Sequence, residues 1–439
     1  MNPLELLKAG GVVGGGGAGF PTWKKLSMPA STLLINGAEC EPLLKSDQYL
    51  MLHQAEALVQ AAEKLGEIIS AGQVMIALKD HYHGQIDALN AAVKKLNAKV
   101  RIHSLPTVYP VGDEQSVVYE CVGEAVPPKG LPGSVGCTVV SVSTAINALH
   151  AIHGSPVTRR LLTVAGEVAK PGLYDVPVGT MVSDVVTAAG GMTASGCRIL
   201  LGGPLMGVLL QEGETAVVTK TCGGILVFPK EHLLVNRARL PLAQMRSRAK
   251  SCCIQCRCCT DLCPRFLLGH PIYPHLTMRS FAMEARPEPS AILCMECGIC
   301  ELFACPMGLS PRRIQQLQKE DLRKMGSSDS FSLIKSQQDT RAWRQVPSER
   351  MAARVDVDRY GFDTPKVVYT VDPKSVRISL KQHIGAPAKA AVKLGDAVRL
   401  GQVIGVMGDG ELGTNVHASI AGRVMEVSDA IVIAREAEQ

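Results

Sequence analysis

Aromatic residues are scarce in this chain of 439 residues: 7 Phe, 8 Tyr and 2 Trp, 4% in all. A protein that grips single strands by base stacking needs aromatic platforms, and few are on offer. An excess of one charge is also lacking. Lys and Arg number 46 against 40 Asp and Glu, a net of +6, which is too thin for a phosphate-binding face over this length. Nucleic acid is therefore not an expected partner. No apolar run reaches the roughly 18 residues of a membrane-spanning helix. No basic stretch precedes an apolar one within Met1–Gly10, so neither a transmembrane segment nor a secretory leader is expected. What remains is a cytoplasmic protein of about three domains, at roughly 150 residues each.

Cysteine is what the chain has in quantity. There are 15, and those from Cys252 to Cys305 form a dense group, while Cys40, Cys121, Cys137, Cys197 and Cys222 are scattered and suit small buried hydrophobes. A secreted disulfide scaffold is short and spreads its cysteines; a dense group in a long chain points to metal. Cys253-x2-Cys256-x2-Cys259-x3-Cys263-Pro264 matches the bacterial ferredoxin run at every position. Cys294-x2-Cys297-x2-Cys300 and Cys305-Pro306 repeat it with one extra residue in the last gap. Two-residue gaps curl three thiolates around three corners of a cubane, and the thiolate before proline turns to the neighbouring cluster. The expected sets are Cys253, Cys256, Cys259 and Cys305 for one [4Fe–4S] cluster and Cys294, Cys297, Cys300 and Cys263 for the other. The competing reading is two structural zinc sites, for which paired Cys-x-x-Cys elements are more usual.

The remaining chain divides by texture. Leu33–Ile35, Val74–Leu78 and Val100–Leu105 are short apolar runs, separated by helical stripes at Ala55–Ile69 and Ile86–Leu96. That order predicts a parallel sheet with crossover helices and a site at the carboxyl ends of its strands. The expected division of this multidomain α/β chain is 1–158 for the α/β unit and 159–245 for a β-grasp module with appended strands. A ferredoxin-like helical unit at 246–325 follows, then a linker or loose wrap at 326–375 and an all-β module at 376–439.

Gly14-x-Gly16-x-x-Gly19, with Glu39 twenty residues on, fits the dinucleotide fingerprint, although a flexible turn fits equally. Either way, consecutive glycines bring backbone close to a ring or phosphate. At Gly16 a β-branched side chain would fill that space or oppose a positive φ. Phe20 can stack on a ring, and Lys24 or Lys25 can meet a phosphate.

The run Gly14–Lys25 resembles the FMN/NADH loop shared by the flavoprotein subunit of complex I and the RnfC component of the Rnf electron-transport complex. Asn36-Gly37-Ala38-Glu39-Cys40-Glu41-Pro42, Tyr109–Glu114 and Val142–Thr144 resemble its second, third and fourth elements. Val164–Val168 with Pro171–Tyr174 resembles the SLBB β-grasp module. Lys381–Pro387 with Val416–Ser419 resembles a lipoyl-like barrel-sandwich module. In the Rnf protein that module stands first; here it stands last, the order of the cobalamin reductases of propanediol-utilisation microcompartments. The resemblance implies FMN held by Gly14, Gly16, Gly17, Gly19, Lys25, Asn36, Tyr109, Gly112 and Thr144. It places Phe20 and Glu41 toward the nicotinamide of NADH, with Asp113 and Glu114 nearby. It departs from the family at Gly15, where the complex I loop often has Arg, at Ala38 and at Ser141.

The implied activity is electron transfer from NADH through FMN and two [4Fe–4S] clusters to cobalamin, inside a microcompartment, with an adenosyltransferase and shell proteins as partners. A peripheral Rnf-type component of a membrane NADH:ferredoxin complex is the alternative, and a non-catalytic cluster-bearing scaffold a third. Asp80–Gly84, His270, His275 and His417 are read as structural or solvated. Arg312, Arg313, Lys319, Arg323 and Lys324 are read as one solvated helical face.

Overall fold

The computed structural model describes residues 2–335 and 337–436. Its first sheet is parallel throughout. Thr32–Asn36 lies between Gln73–Lys79 and Cys137–Ser141, and Val100–Leu105 forms the far edge. Strands buried on both faces read as unbroken apolar runs, and Leu33, Leu34, Ile35 and Met75 through Leu78 are fully buried. The helices Ala55–Ile68 and His83–Leu96 make the crossovers. Leu58, Val59, Ala62 and Leu65 form the stripe that closes the core, each large side chain contributing about 1.5–3 kcal/mol.

A second sheet runs Val368–Thr370, Gly172–Pro177, Arg159–Gly166, Gly224–Phe228, Arg198–Leu201 and Val208–Leu209 in spatial order. The helix Val182–Ala188 packs on it, the arrangement of a β-grasp module. The cysteine region is helical, with Leu242–Cys252, Pro274–Ala282 and Pro311–Lys324 around the cysteine loops. The all-β end pairs Ser375–Ser379, Ala430–Ala434, Gly422–Val427 and Ala397–Val398 in one sheet. Lys389–Ala390, Val403–Val406 and Val416–His417 form a second. Together they are a barrel sandwich around Ile404, Ile431 and Ile433.

The stretch 326–375 is not a free linker. Val346–Pro347 pairs with Val108–Tyr109, and Val368–Thr370 adds an edge strand beside Gly172–Pro177. Met351, Val355 and Val357 are fully buried against the cysteine region. Its apolar residues are few and irregularly spaced among polar and charged ones, so no periodic signal marks them.

Candidate functional site

Asn36, Lys79 and Ser141 end three parallel strands, and the glycine loop folds over that edge. The loop is closed where the Gly14 amide donates to the Phe20 carbonyl at 2.9 Å and Val13 bridges Pro21. The Gly15 amide donates to Thr144 Oγ1 at 2.9 Å, and that hydroxyl shares a 2.7 Å hydrogen bond with Ser141 Oγ. Ser141 thus works with Thr144 at the fourth element. Gly16, Gly17 and Ala18 form an exposed tip. A Cβ on Gly17 would meet nothing within 4 Å, and one on Gly16 only Ser141 Cβ at 3.9 Å. The tip is a bare shelf at the strand ends, as a bound ring or phosphate requires. Positive φ falls at Gly19, at 72°, and not at Gly16. Gly19 lies against Gln382 and His383 of the barrel sandwich, where a side chain has no room.

The second and third elements are tied together. Asn36 Nδ2 donates to the Gly112 carbonyl at 2.8 Å, and the Gly112 amide donates to Cys40 Sγ at 2.8 Å. Gly112 is obligatory: a Cβ would collide with the Ala38 carbonyl oxygen. Lys25 Nζ reaches Glu114 at 2.6 Å and the Val139 carbonyl at 2.9 Å. Glu39 accepts the Glu41 amide at 2.9 Å; burial, then Asp47, pushes its carboxyl up to about 8. Glu41 Oε2 accepts the Leu205 amide at 2.7 Å, while its Oε1 is buried without a partner. Burial lifts Glu41 to about 7, against the pull of the Leu205 amide and Arg312. Phe20 is half-buried at the end of the glycine loop. Asp113 is engaged structurally. It caps the helix Glu114–Val122 through the Ser116 amide and makes a bidentate pair with Arg265 at 2.7 and 2.9 Å.

The eight expected cysteines lie close together. Burial raises Cys259 to about 12, and the thiols pressing on it next are Cys305, Cys253, Cys256 and Cys263. Burial raises Cys294 to about 12, with Cys263 next. Cys263, Cys294, Cys297 and Cys300 line one cavity. Among the described residues no three side chains converge as ligands of a single ion; in a cluster each sulfur meets its own iron. Four thiols around one cavity, in a wall that includes Ile272 and Pro274, fit such a cluster.

The two motifs share a backbone. Gln255 and Arg257 have φ of 53° and 65°, and Glu296 and Gly298, at the corresponding places, 66° and 84°. The extra residue before Cys305 is taken up in a π-helical turn, Ile299–Ala304. In that turn Glu301 accepts the Arg313 amide at 3.2 Å, capping the following helix.

The cavity group is joined to the flavin-type elements. Tyr109, 3% exposed, donates its hydroxyl to the Cys297 carbonyl at 2.6 Å. Arg265, the Asp113 partner, follows Cys263-Pro264. Arg312 donates to the Leu205 carbonyl at 2.6 Å, next to the amide that Glu41 accepts.

Comparison with known proteins agrees with this architecture. Residues 7–150 match the Nuo51 FMN-binding domain, 161–209 the SLBB domain, 252–310 the 4Fe-4S dicluster domain and 363–439 the RnfC barrel sandwich hybrid domain. Over 437 residues the chain is 41% identical to Cobalamin reductase PduS of Salmonella typhimurium strain LT2, covering 98% of this chain and 96% of that one. The chain belongs to the PduS cobalamin reductase family. The Citrobacter freundii member is 40% identical, covering 97% and 94% of the two chains. A component of the ion-translocating oxidoreductase complex of Rhodobacter capsulatus is 35% identical over 266 residues, 58% of this chain and 48% of that one. The chain is thus a flavin and iron–sulfur oxidoreductase with the multidomain α/β architecture expected. No helix among its described residues is long and apolar enough to cross a membrane.

Several residues of this reductase escaped sequence reasoning. The supposed solvated face of Pro311–Lys324 is largely turned inward. Arg313 donates to the Arg237 and Leu240 carbonyls at 3.0 and 2.7 Å, and Lys319 to the Cys294 carbonyl at 2.7 Å. Only Arg323 and Lys324 of the five are exposed. Long side chains let a charged head reach a buried carbonyl from a polar-looking helix. Arg160 was also missed. It is 7% exposed and donates to the Gly15 and Cys222 carbonyls at 3.0 and 2.8 Å. A guanidinium from the β-grasp module thus reaches the glycine loop at Gly15. His417 is not fully satisfied: its Nδ1 is buried without a partner, and burial lowers its pKa to about 4.

Proposed function

We propose that this chain is an NADH-dependent cobalamin reductase. FMN would take hydride from NADH, and two [4Fe–4S] clusters would relay single electrons to cob(III)alamin and cob(II)alamin, toward cob(I)alamin for an adenosyltransferase in a propanediol-utilisation microcompartment. Shell proteins are the further expected partners. Support for the acceptor comes from the family and from module order. The single observation that carries the coupling is the Tyr109 hydroxyl on the Cys297 carbonyl, with the Asp113–Arg265 pair beside it.

The fit of the residues to flavin rests on the bare shelf at Gly16 and Gly17 and the unpartnered Glu41 Oε1. Gly14, Gly16, Gly17, Gly19, Lys25, Asn36, Tyr109, Gly112 and Thr144 would hold FMN; Phe20 and Glu41 would border the nicotinamide. Glu39 would orient Glu41 through its amide. Glu114 would hold Lys25 in place. Cys263, Cys294, Cys297 and Cys300 would hold the cluster nearer the flavin, here the inner one. Cys253, Cys256, Cys259 and Cys305 would hold the outer one, where Cys256 is exposed and electrons can leave.

The test is anaerobic mixing of NADH with reconstituted protein and hydroxocobalamin, followed by absorbance. The expected result is flavin bleaching followed by conversion of the cob(III) to the cob(II) spectrum. Flavin bleaching with no change in cobalamin would remove the proposed acceptor; no bleaching would remove NADH.

A further inference from the structure

The inner cavity has a feature that four cysteines do not explain. It is also lined by Gln315 and Arg312. Gln315 is fully buried, and its Nε2 has no hydrogen-bond partner among the described residues; the Arg312 Nε is likewise buried and unpaired among them. Leaving a buried donor unmade is costly, and two at one cavity call for an acceptor inside it. The Gln315 amide is oriented. Thr277 Oγ1 donates to its Oε1 at 3.0 Å, the Tyr273 carbonyl being the more distant acceptor at 3.5 Å, and in this orientation the NH2 group is left for the cavity. The reverse orientation would set a carbonyl oxygen against sulfurs that are all acceptors. Arg312 is held by its Nη1 bond to the Leu205 carbonyl.

We propose that Gln315 and Arg312 donate hydrogen bonds to sulfur of the inner cluster and raise its reduction potential. The inference rests on the cluster reading given above. Reduction adds negative charge to the cluster, and a donor fixed at its sulfur stabilises the reduced form more than the oxidised one. Burial alone pulls the other way, because it disfavours added charge. The two donors offset that pull and make the site beside the flavin elements a workable first acceptor. The outer motif is served differently. Its side-chain donor is Gln255, which reaches Cys253 Sγ at 3.2 Å from an exposed position. The effect of Gln315 and Arg312 is therefore confined to one cluster.

The experiment is an EPR-monitored redox titration of reconstituted full-length protein and of Gln315→Leu, each also in a Cys256→Ala background that leaves the inner cluster as the signal. Gln315→Leu is expected to lower the reduced-to-oxidised ratio of the inner cluster about tenfold at fixed potential, a shift of about 59 mV for one electron. The outer cluster should not move. Thr277→Val, which frees the amide without altering the cavity wall, should shift it in the same direction by less. An unmoved inner potential, or equal shifts in both clusters, overturns the proposal. Where Gln315→Leu fails to load iron, wild-type protein carrying 15N in its glutamine side chains decides. A 15N coupling at the reduced inner cluster is expected, and its absence overturns the proposal. A wild-type protein with no cluster signal in either background would instead overturn the cluster reading itself.

Discussion

The two cysteine motifs have nearly the same spelling and the same left-handed turns, yet they sit in different surroundings. In the first, Cys256 is exposed, and among the described residues Cys253 is met by an exposed Gln255. In the second, Cys297, at the place of Cys256, is buried, while Cys259 and Cys300 are buried alike. Its backbone carbonyls are claimed by Tyr109 and Lys319, and its flanks by Arg265 and Arg312. Spacing specifies what a motif can bind. Position relative to the rest of the chain decides what that site does: under the proposed function the buried end would receive electrons and the exposed end would present them.

The largest effects should come from separating the two sites. Cys297→Ala and Cys256→Ala should each remove about half of the iron, from about eight to about four per chain. With Cys297→Ala, NADH should bleach the flavin and reduce no cluster, and cobalamin reduction should cease. With Cys256→Ala, NADH should still produce the EPR signal of the inner cluster. The reverse pattern would invert the assignment of inner and outer.

Next in size is the strut between the flavin elements and the inner motif. The side chains of Arg265 and Asp113 are 10% and 11% exposed, and the pair is bidentate. Arg265→Ala leaves a buried carboxylate without its partner, which costs about 3–5 kcal/mol, read as a lowered midpoint in anaerobic denaturant unfolding. Arg323→Ala, on the exposed end of Pro311–Lys324, should leave it within about 0.5 kcal/mol.

The wall on the flavin side of the inner motif should also make stability depend on pH. Glu41 titrates at about 7 in the folded chain against an ordinary 4.5. Its folded pKa is raised, so the folded state holds the proton more tightly. That contribution is complete below about pH 4.5 and is lost as pH rises through 7. In that window the folded state binds more protons than the unfolded one, and stability falls by at most about 1.4 kcal/mol per pH unit. Glu41→Gln should flatten the slope between pH 5 and 7 in flavin-free protein. An unchanged slope would assign it to other groups, with Glu39 the first to examine.

Legibility in the sequence followed the physics of each signal. The parallel sheet was readable because strands buried on both faces are written as apolar runs, as at Met75–Leu78. The cysteine region was readable as a 4Fe-4S dicluster domain because cluster-binding cysteines come in runs of fixed local spacing. The inward reach of Arg312, Arg313 and Lys319 was not, since a charged residue on a helix looks the same whether its head finds water or a buried carbonyl. Arg160 and Gly15 were separated by 145 residues, beyond any local pattern. The packing of 326–375 depends on a surface provided by other modules, so its own residues carry little of the information.

The smallest expected effect is the most direct comparison of the motifs, because it exchanges one residue between equivalent places. Arg257 and Gly298 both follow the middle cysteine and both have positive φ. For a residue with a Cβ that conformation costs about 1–2 kcal/mol. Arg257→Gly removes the strain but adds about 0.5–1 kcal/mol of backbone entropy to be lost on folding. The contact Arg257 makes with Asp261 is long, at 3.9 Å, and half exposed, so its loss matters little. The balance is a gain of about 0.5–1 kcal/mol, read as a raised midpoint in anaerobic unfolding. Gly298→Ala should do the opposite and by more, since its Cβ would also press on Leu302 Cδ1 at 3.1 Å. Equal and opposite changes would mean that backbone conformation alone separates the two loops. A loss on Arg257→Gly would mean that the arginine makes a contact in the loaded outer site worth more than the strain it bears.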